Sequence, residues 1–229
     1  GLHIHLGIDE EDYSDVSLAK AEAFAQERGL LLHVVNVRET YGHGIVEVAR
    51  GRRGGRTCAV CGLVKRHIMN QMAYEGGYDA IATGHNLDDE AAVLLMNTLH
   101  WERRFLSRQG PLLPSIQPRM ARKVKPLVFL YERETAAYAI VRGIDYVMQE
   151  CPYAVGASSI RAKGILNQLE RHSPGTKVQF YLGFLRARRD GWLPSDEGRD
   201  GSVTACPRCG QPTTADGLCA FCRLWEGAR

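Results

Sequence analysis

The sequence predicts an α/β fold, a parallel sheet with helices on both faces, followed by a short C-terminal appendage. Three observations carry that prediction. Strand and helix patterns alternate as β, α, β, α, β, α over 2–99, the order that builds parallel strands joined by crossover helices. The second strand pattern, LLLHVVNV, is a continuous apolar and β-branched run, as a strand buried on both faces should be. The tail at 205–229 carries two CxxC pairs and is too short to build a hydrophobic core of its own.

Taken in order, LHIHLGI at 2–8 alternates like a strand. Residues 14–29 place Leu18, Ala21, Phe24 and Ala25 on one helical face, with Gly29 as the C-terminal stop. The apolar run at 30–37 follows, and a Gly/Arg-rich loop, ARGRRGGRT, leads to the first CxxC, Cys58 and Cys61. A helix is expected over 62–75, closed by Gly76 and Gly77, then a short strand at 78–83 and a helix over 84–99. Residues 100–125 read as a basic, proline-containing connection. Three further helices are expected at 131–143, 157–172 and 177–189. The stretch DGWLPSDEGRDGSVT at 190–204 has the composition of a linker.

At 229 residues, 45% hydrophobic and 24% charged, the chain can bury one sizeable core. It shows neither a signal-peptide pattern nor a run approaching the roughly 18 apolar residues of a membrane span. A cytoplasmic protein with no membrane partner is the expectation. Net charge is only +3 but unevenly spread. Residues 100–125 hold seven Lys/Arg against Glu102 alone, and 161–189 hold seven more against Glu170. Acids gather instead at Asp9, Glu10, Glu11, Asp12 and Asp15. The basic segments are either solvated helix faces or a docking surface for a polyanion.

Six of the seven cysteines sit in three CxxC pairs, with Cys151 left over. Such spacing in a reducing compartment means metal ligation or redox chemistry. Cys206/Cys209 and Cys219/Cys222, nine residues apart, present four thiolates from two tight turns, the pattern of a structural zinc site. Zinc would supply folding energy that some 25 residues cannot generate otherwise. Four thiolates close the coordination sphere, so this site holds structure and does not catalyse. Cys58/Cys61 read as a redox pair or as metal ligands, and Cys151 as a ligand or a small buried hydrophobe.

The other informative stretch is TGHNLDDEAA, 83–92, where a strand pattern ends in Gly84 and two acids open a helix. Open α/β sheets bind ligands at the carboxyl ends of their strands. Asp88 and Asp89 equally suit the ordinary task of capping a helix N-terminus. His67 and His85 are assigned to no metal, because lone histidines are more often hydrogen-bonded structural residues.

Together, CAVCGLVKRHIMN, ATGHNLDDEAA, the lone cysteine in QECPYA and the terminal double CxxC resemble the tRNA 2-thiouridine synthetases of the TtuA type. These belong to the PP-loop ATP pyrophosphatases, a Rossmann-type group that also contains the TtcA-type 2-thiocytidine synthetases. The resemblance spans essentially the whole chain. It implies a catalytic domain at 1–189, with a helical tRNA-binding part from about 100 to 189, a linker at 190–204 and a zinc finger at 205–229. The family's N-terminal zinc finger and its phosphate-binding SGGxDS segment do not occur in this sequence, whose opening GLHIHLGI looks like the family's second strand. A fragment is therefore expected.

The resemblance implies that Cys58, Cys61 and Cys151 hold a [4Fe-4S] cluster with one iron free of protein ligands. That iron holds an external sulfur. ATP adenylates the C2 oxygen of a tRNA uridine, the 5-methyluridine of the T loop, and the sulfur displaces AMP. A ubiquitin-like carrier protein with a C-terminal thiocarboxylate delivers the sulfur; a homodimer is one assembly open to the chain, whose oligomeric state the sequence does not fix. By position in the motifs, Lys65 neutralises phosphate charge, Asp89 is a general acid/base or Mg²⁺ ligand, Gly84 allows close approach of ATP, and Gly7 contacts adenine. Phe105 and Tyr181 become stacking partners for RNA bases. A TtcA-type cytidine thiolase, or a non-catalytic zinc-containing RNA-binding fragment, is the alternative.

Overall fold

The alternation in the sequence becomes two parallel strand pairs in the computed structural model, which describes residues 1–51, 57–192 and 203–226. The first pair is β1 (Leu2–His5), joined through α1 (Tyr13–Glu27) to β2 (His33–Asn36), with Leu2 opposite His33 and His5 opposite Asn36. Asn36 ends β2 and caps α2 (Val37–Tyr41), its Oδ1 accepting from the backbone N–H of Arg38 at 3.1 Å and Glu39 at 3.3 Å. The strand is shorter than its apolar run and lies at an edge. Leu30 and Leu31 are 54% and 70% exposed, so the doubly buried strand expected at 30–37 is not what forms.

α3 (Ile45–Arg50) follows, then α4 (Thr57–Glu75), which packs on β1 and on β3 (Ala80–Ala82). The Gly/Arg-rich loop between them lies largely outside the described residues, at 52–56. α4 begins earlier than its apolar periodicity suggests, so the CxxC lies inside the helix and not ahead of it. α5 (Leu87–Leu99) and α6 (Arg103–Ser107) lead to β4 (Leu112–Leu113) and β5 (Arg122–Val124). β5 pairs parallel with β3 and antiparallel with β4. Neither short strand has a legible pattern: Arg-Lys-Val is basic and three residues long, and its extended form comes from pairing with β3. The helical half consists of α7 (Glu132–Val141), α8 (Ser158–His172) and α9 (Thr176–Arg189), with α8 and α9 both against α5. Among the described residues no helix is long and apolar enough to cross a membrane.

The tail forms β6 (Thr204–Ala205), β7 (Pro212–Thr213) and α10 (Ala220–Glu226). It does not stand apart from the body. Phe221, Cys222 and Leu224 share one buried cluster with Val37, Ile45, Val64 and Ile68 from α2, α3 and α4. Phe221 stacks on the His67 imidazole at 3.5 Å and 4°, Trp225 on Tyr41 at 5.0 Å and 18°. Burial holds His67 down to about 4, so at neutral pH it is an uncharged ring in an apolar stack. Most of the linker lies outside the described residues, at 193–202.

Much of the charge at 161–189 is used internally. Lys177 is 3% exposed and ion-paired with Asp88, which is 4% exposed and also accepts from Glu132 N–H at 2.8 Å. Lys163 bridges Asp89 at 2.8 Å and Glu132 at 2.9 Å. Arg188 donates to the Gln109 carbonyl. Tyr181, expected to stack on RNA, is 0% exposed in the cluster of Leu87, Leu94 and Val128, its hydroxyl 3.5 Å from Glu90. Its ring is core because α9 turns it inward onto α5.

Breaking the Lys177–Asp88 pair strands a carboxylate in low dielectric. Lys177→Met is therefore expected to cost about 3–5 kcal/mol in denaturant unfolding. Lys163→Met, at a more solvated pair, should cost below about 1 kcal/mol. Equal losses would show that Asp88 is reached by water.

Candidate metal centres and active site

Cys58, Cys61 and Lys65 occupy one face of α4, because positions three and four apart on a helix are neighbours. Cys151 lies ninety residues beyond Cys61 in sequence, just ahead of a 3-10 turn at Pro152–Ala154. That turn packs on α4, and the Cys58 thiol donates to the Tyr153 carbonyl at 3.2 Å. Tyr153 in turn hydrogen-bonds through its hydroxyl to Glu10. Three segments far apart in the chain thus meet at the start of α4.

The electrostatics reflect that meeting. Burial pushes the Cys61 thiol up, Lys65 pulls it back, and the nearby Cys151 and Cys58 push it up again. The Tyr13 phenol is raised by burial and then by Cys151 and Cys61. Tyr13, Glu10 and Tyr153 were not singled out from the sequence, since nothing in their spacing refers to Cys58.

The ribbon cysteines form a different kind of site. Among the described residues, Cys206, Cys209, Cys219 and Cys222 alone form a group of three or more metal-ligating side chains with all ligand atoms within 4.8 Å of one another. Cys206 and Cys222 are 3.8 Å apart at sulfur, Cys209 and Cys219 3.7 Å. A tetrahedral ion with metal–sulfur bonds of ≈ 2.3 Å needs sulfurs about 3.8 Å apart, so the set fits a single zinc-sized ion. Burial disfavours the Cys206 thiolate, but N–H donors from Cys219, Cys209 and Arg208 outweigh it and lower the group to about 6. Cys58, Cys61 and Cys151 are more widely set than that group.

The remaining expected residues divide. Lys65 is exposed, one turn from Cys61 and close enough to lower its thiol. Gly84 is exposed after β3, and a Cβ there would meet nothing within 4 Å, so its backbone is open to a ligand. Asp89 has both oxygens engaged: Oδ2 accepts from Asn86 N–H at 3.1 Å in a reciprocal cap, and Oδ1 pairs with Lys163 at 2.8 Å. The capping role expected of it is present. Gly7 is a glycine for conformational reasons. Its φ is +65°, and a Cβ on it would stand 3.0 Å from the Gly44 Cα. The left-handed backbone and this close crossing require glycine there. His85 bonds Thr83 at 2.7 Å and approaches no cysteine group.

No family model matches the chain. A tRNA-5-methyluridine(54) 2-sulfurtransferase of Thermus thermophilus is 50% identical over 226 residues, covering 99% of this chain and 68% of that protein. The protein of the same name from Pyrococcus horikoshii is 46% identical over 224 residues, with 98% and 69% covered.

The chain belongs to the tRNA-5-methyluridine(54) 2-sulfurtransferase family.

The α/β architecture of this family member is also that of the U34-tRNA thiolase NcsA from Methanococcus maripaludis with its [4Fe-4S] cluster, at a TM-score of 0.74 and 23% identity over 98% of this chain and 69% of that one. The family's name designates a sulfurtransferase.

Proposed function

We propose that this chain carries out ATP-dependent sulfur transfer to C2 of a tRNA uridine, the 5-methyluridine of the T loop. The observation that carries the reading is the meeting of the Cys151 turn with the Cys58/Cys61 face of α4, beside an exposed Lys65. Cys58, Cys61 and Cys151 would hold a [4Fe-4S] cluster, and three thiolates on four irons leave one iron open. When bound, the cluster supplies the site for an external sulfur.

The chain's own residues have separate tasks. Lys65 offers a point charge for the phosphates of ATP and its Mg²⁺. Gly84, without a Cβ, lets the nucleotide approach the backbone after β3. Asp89, with its oxygens committed to Asn86 and Lys163, holds the 83–86 loop in place and does not move protons. Zinc in the ribbon fixes the tail against α4. A thiocarboxylated ubiquitin-like carrier, a homodimer and a cytoplasmic setting complete the reading. The relatives named above are uridine enzymes, so nothing favours a cytidine substrate. A non-catalytic binding fragment would have no use for an exposed lysine beside three converging thiols.

Lys65→Ala in the complete protein is expected to slow thiolation by about 10²-fold, the scale of losing one transition-state charge contact. Iron content should stay unchanged, and Lys65→Arg should restore part of the rate. Mass spectrometry of the tRNA product with an iron assay reads both. Wild-type rates in Lys65→Ala would remove the lysine from the site.

A further inference from the structure

α4 has a second functional face. His67 and Asn70 lie roughly half a turn from Cys58, Cys61 and Lys65, with Arg66 between the two faces. There a cleft of about 470 Å³ opens between α4, α6, β5 and the ribbon. Its size is within the roughly 300–1,000 Å³ of ligand sites. Arg66, Arg104, Arg108 and Lys123 line it, and among the described residues no carboxylate does. Among the described residues Arg66, Arg104 and Lys123 make no ion pair. Lys123 is held below the usual lysine range by burial and then by the charges of Arg66, Arg108 and Lys125.

Arg66, Arg104 and Lys123 repel one another across this space, and an anion seated among them would relieve that repulsion. The wall also carries unmet polar capacity: Asn70 is 7% exposed, and its Oδ1 has no hydrogen-bond partner. The sequence marked 100–125 as basic but did not connect it with α4 or the ribbon. Only the packing of α10 on His67 and of β5 beside β3 closes these elements round one space.

We propose that this cleft seats the phosphodiester backbone of the RNA substrate, behind the α4 face that carries Cys58 and Cys61. The inference rests on the RNA reading above and adds the surface that holds the RNA. A chain of phosphates fits better than a single small anion. The cations come from three separate elements, and the adjoining Arg103 and Arg122 are exposed, so positive charge continues beyond the cleft. The internal pairing of Lys163, Lys177 and Arg188 leaves the 161–189 segment less able to do this. The ribbon forms one wall, which gives the zinc site a second consequence: without it the cleft has no outer side.

The test is binding of an unmodified tRNA transcript to the full-length protein, by fluorescence anisotropy over about 50 to 200 mM salt. Arg66→Ala/Arg104→Ala should bind several-fold more weakly, with the slope of log K against log salt reduced by about 0.7–0.9 per cation removed. Zinc content and melting temperature should match the wild type. If the double variant folds poorly, Arg104→Ala alone serves, since that side chain is exposed on a short surface helix. A wild-type slope in a folded variant overturns the proposal, as does loss of ATP binding with tRNA binding intact. Failure of the wild-type protein to bind tRNA would instead reject the RNA reading itself.

Discussion

Cys206→Ser is expected to lose its zinc and, with it, much of the stability of the whole body. Four sulfurs spaced at 3.7–3.8 Å form a closed tetrahedral set, and an alcohol in place of one thiolate breaks it. Structural zinc sites contribute apparent free energies of about 10–16 kcal/mol in isolated fingers, as much as the entire net stability of a typical domain. The loss is not confined to the tail. Phe221 and Leu224 are buried with Val64 and Ile68, so release of the ribbon uncovers the back of α4 and separates the His67–Phe221 stack. Elemental analysis should fall from about one zinc per chain to near zero, with a lower melting temperature. Cys58, Cys61 and Cys151 take no part in the four-sulfur set, so iron loading of the folded fraction should persist. Unchanged zinc content would refute the four-thiolate site.

The second large effect is expected at Cys151. Cys58 and Cys61 share a helix face, but the third thiol is supplied by the turn at Pro152–Ala154, whose Tyr153 carbonyl accepts from Cys58. With Cys151→Ala, only two thiolates remain for the proposed cluster. Anaerobic reconstitution should then give a labile preparation holding well under about four irons per chain, and sulfur transfer should vanish. Zinc and tRNA binding, which depend on other faces of the fold, should survive. A stable cluster of near-wild-type iron and sulfide content with activity retained would return Cys151 to a packing role.

Local spacing was legible because it is decided within a turn or two of chain. The βα alternation, the helices at 14–29, 84–99 and 157–172 and the four ribbon ligands all follow from residues that are neighbours in sequence. β5 was hidden because a three-residue stretch, two of its residues basic, acquires strand form only from a partner strand. The reach of α4 back to Thr57 was hidden because an apolar period says little about the first, partly exposed turn.

By itself, then, the sequence determined the α/β class, the three CxxC pairs and the motif likeness that the relatives at 50% and 46% identity bear out. Tertiary structure decided which residues meet. It brought the Cys151 turn to α4, closed a basic cleft behind the same helix, and buried Tyr181 and Lys177 where a basic, aromatic segment had suggested an RNA surface. It also committed Asp89 to a cap and Gly7 to a backbone crossing. The physical reason is the range of the forces involved. Helix periodicity and metal-ligand spacing act over a few residues, whereas proximity across ninety residues, and the choice between solvent and a buried counter-ion for each charge, exist only once the chain is packed.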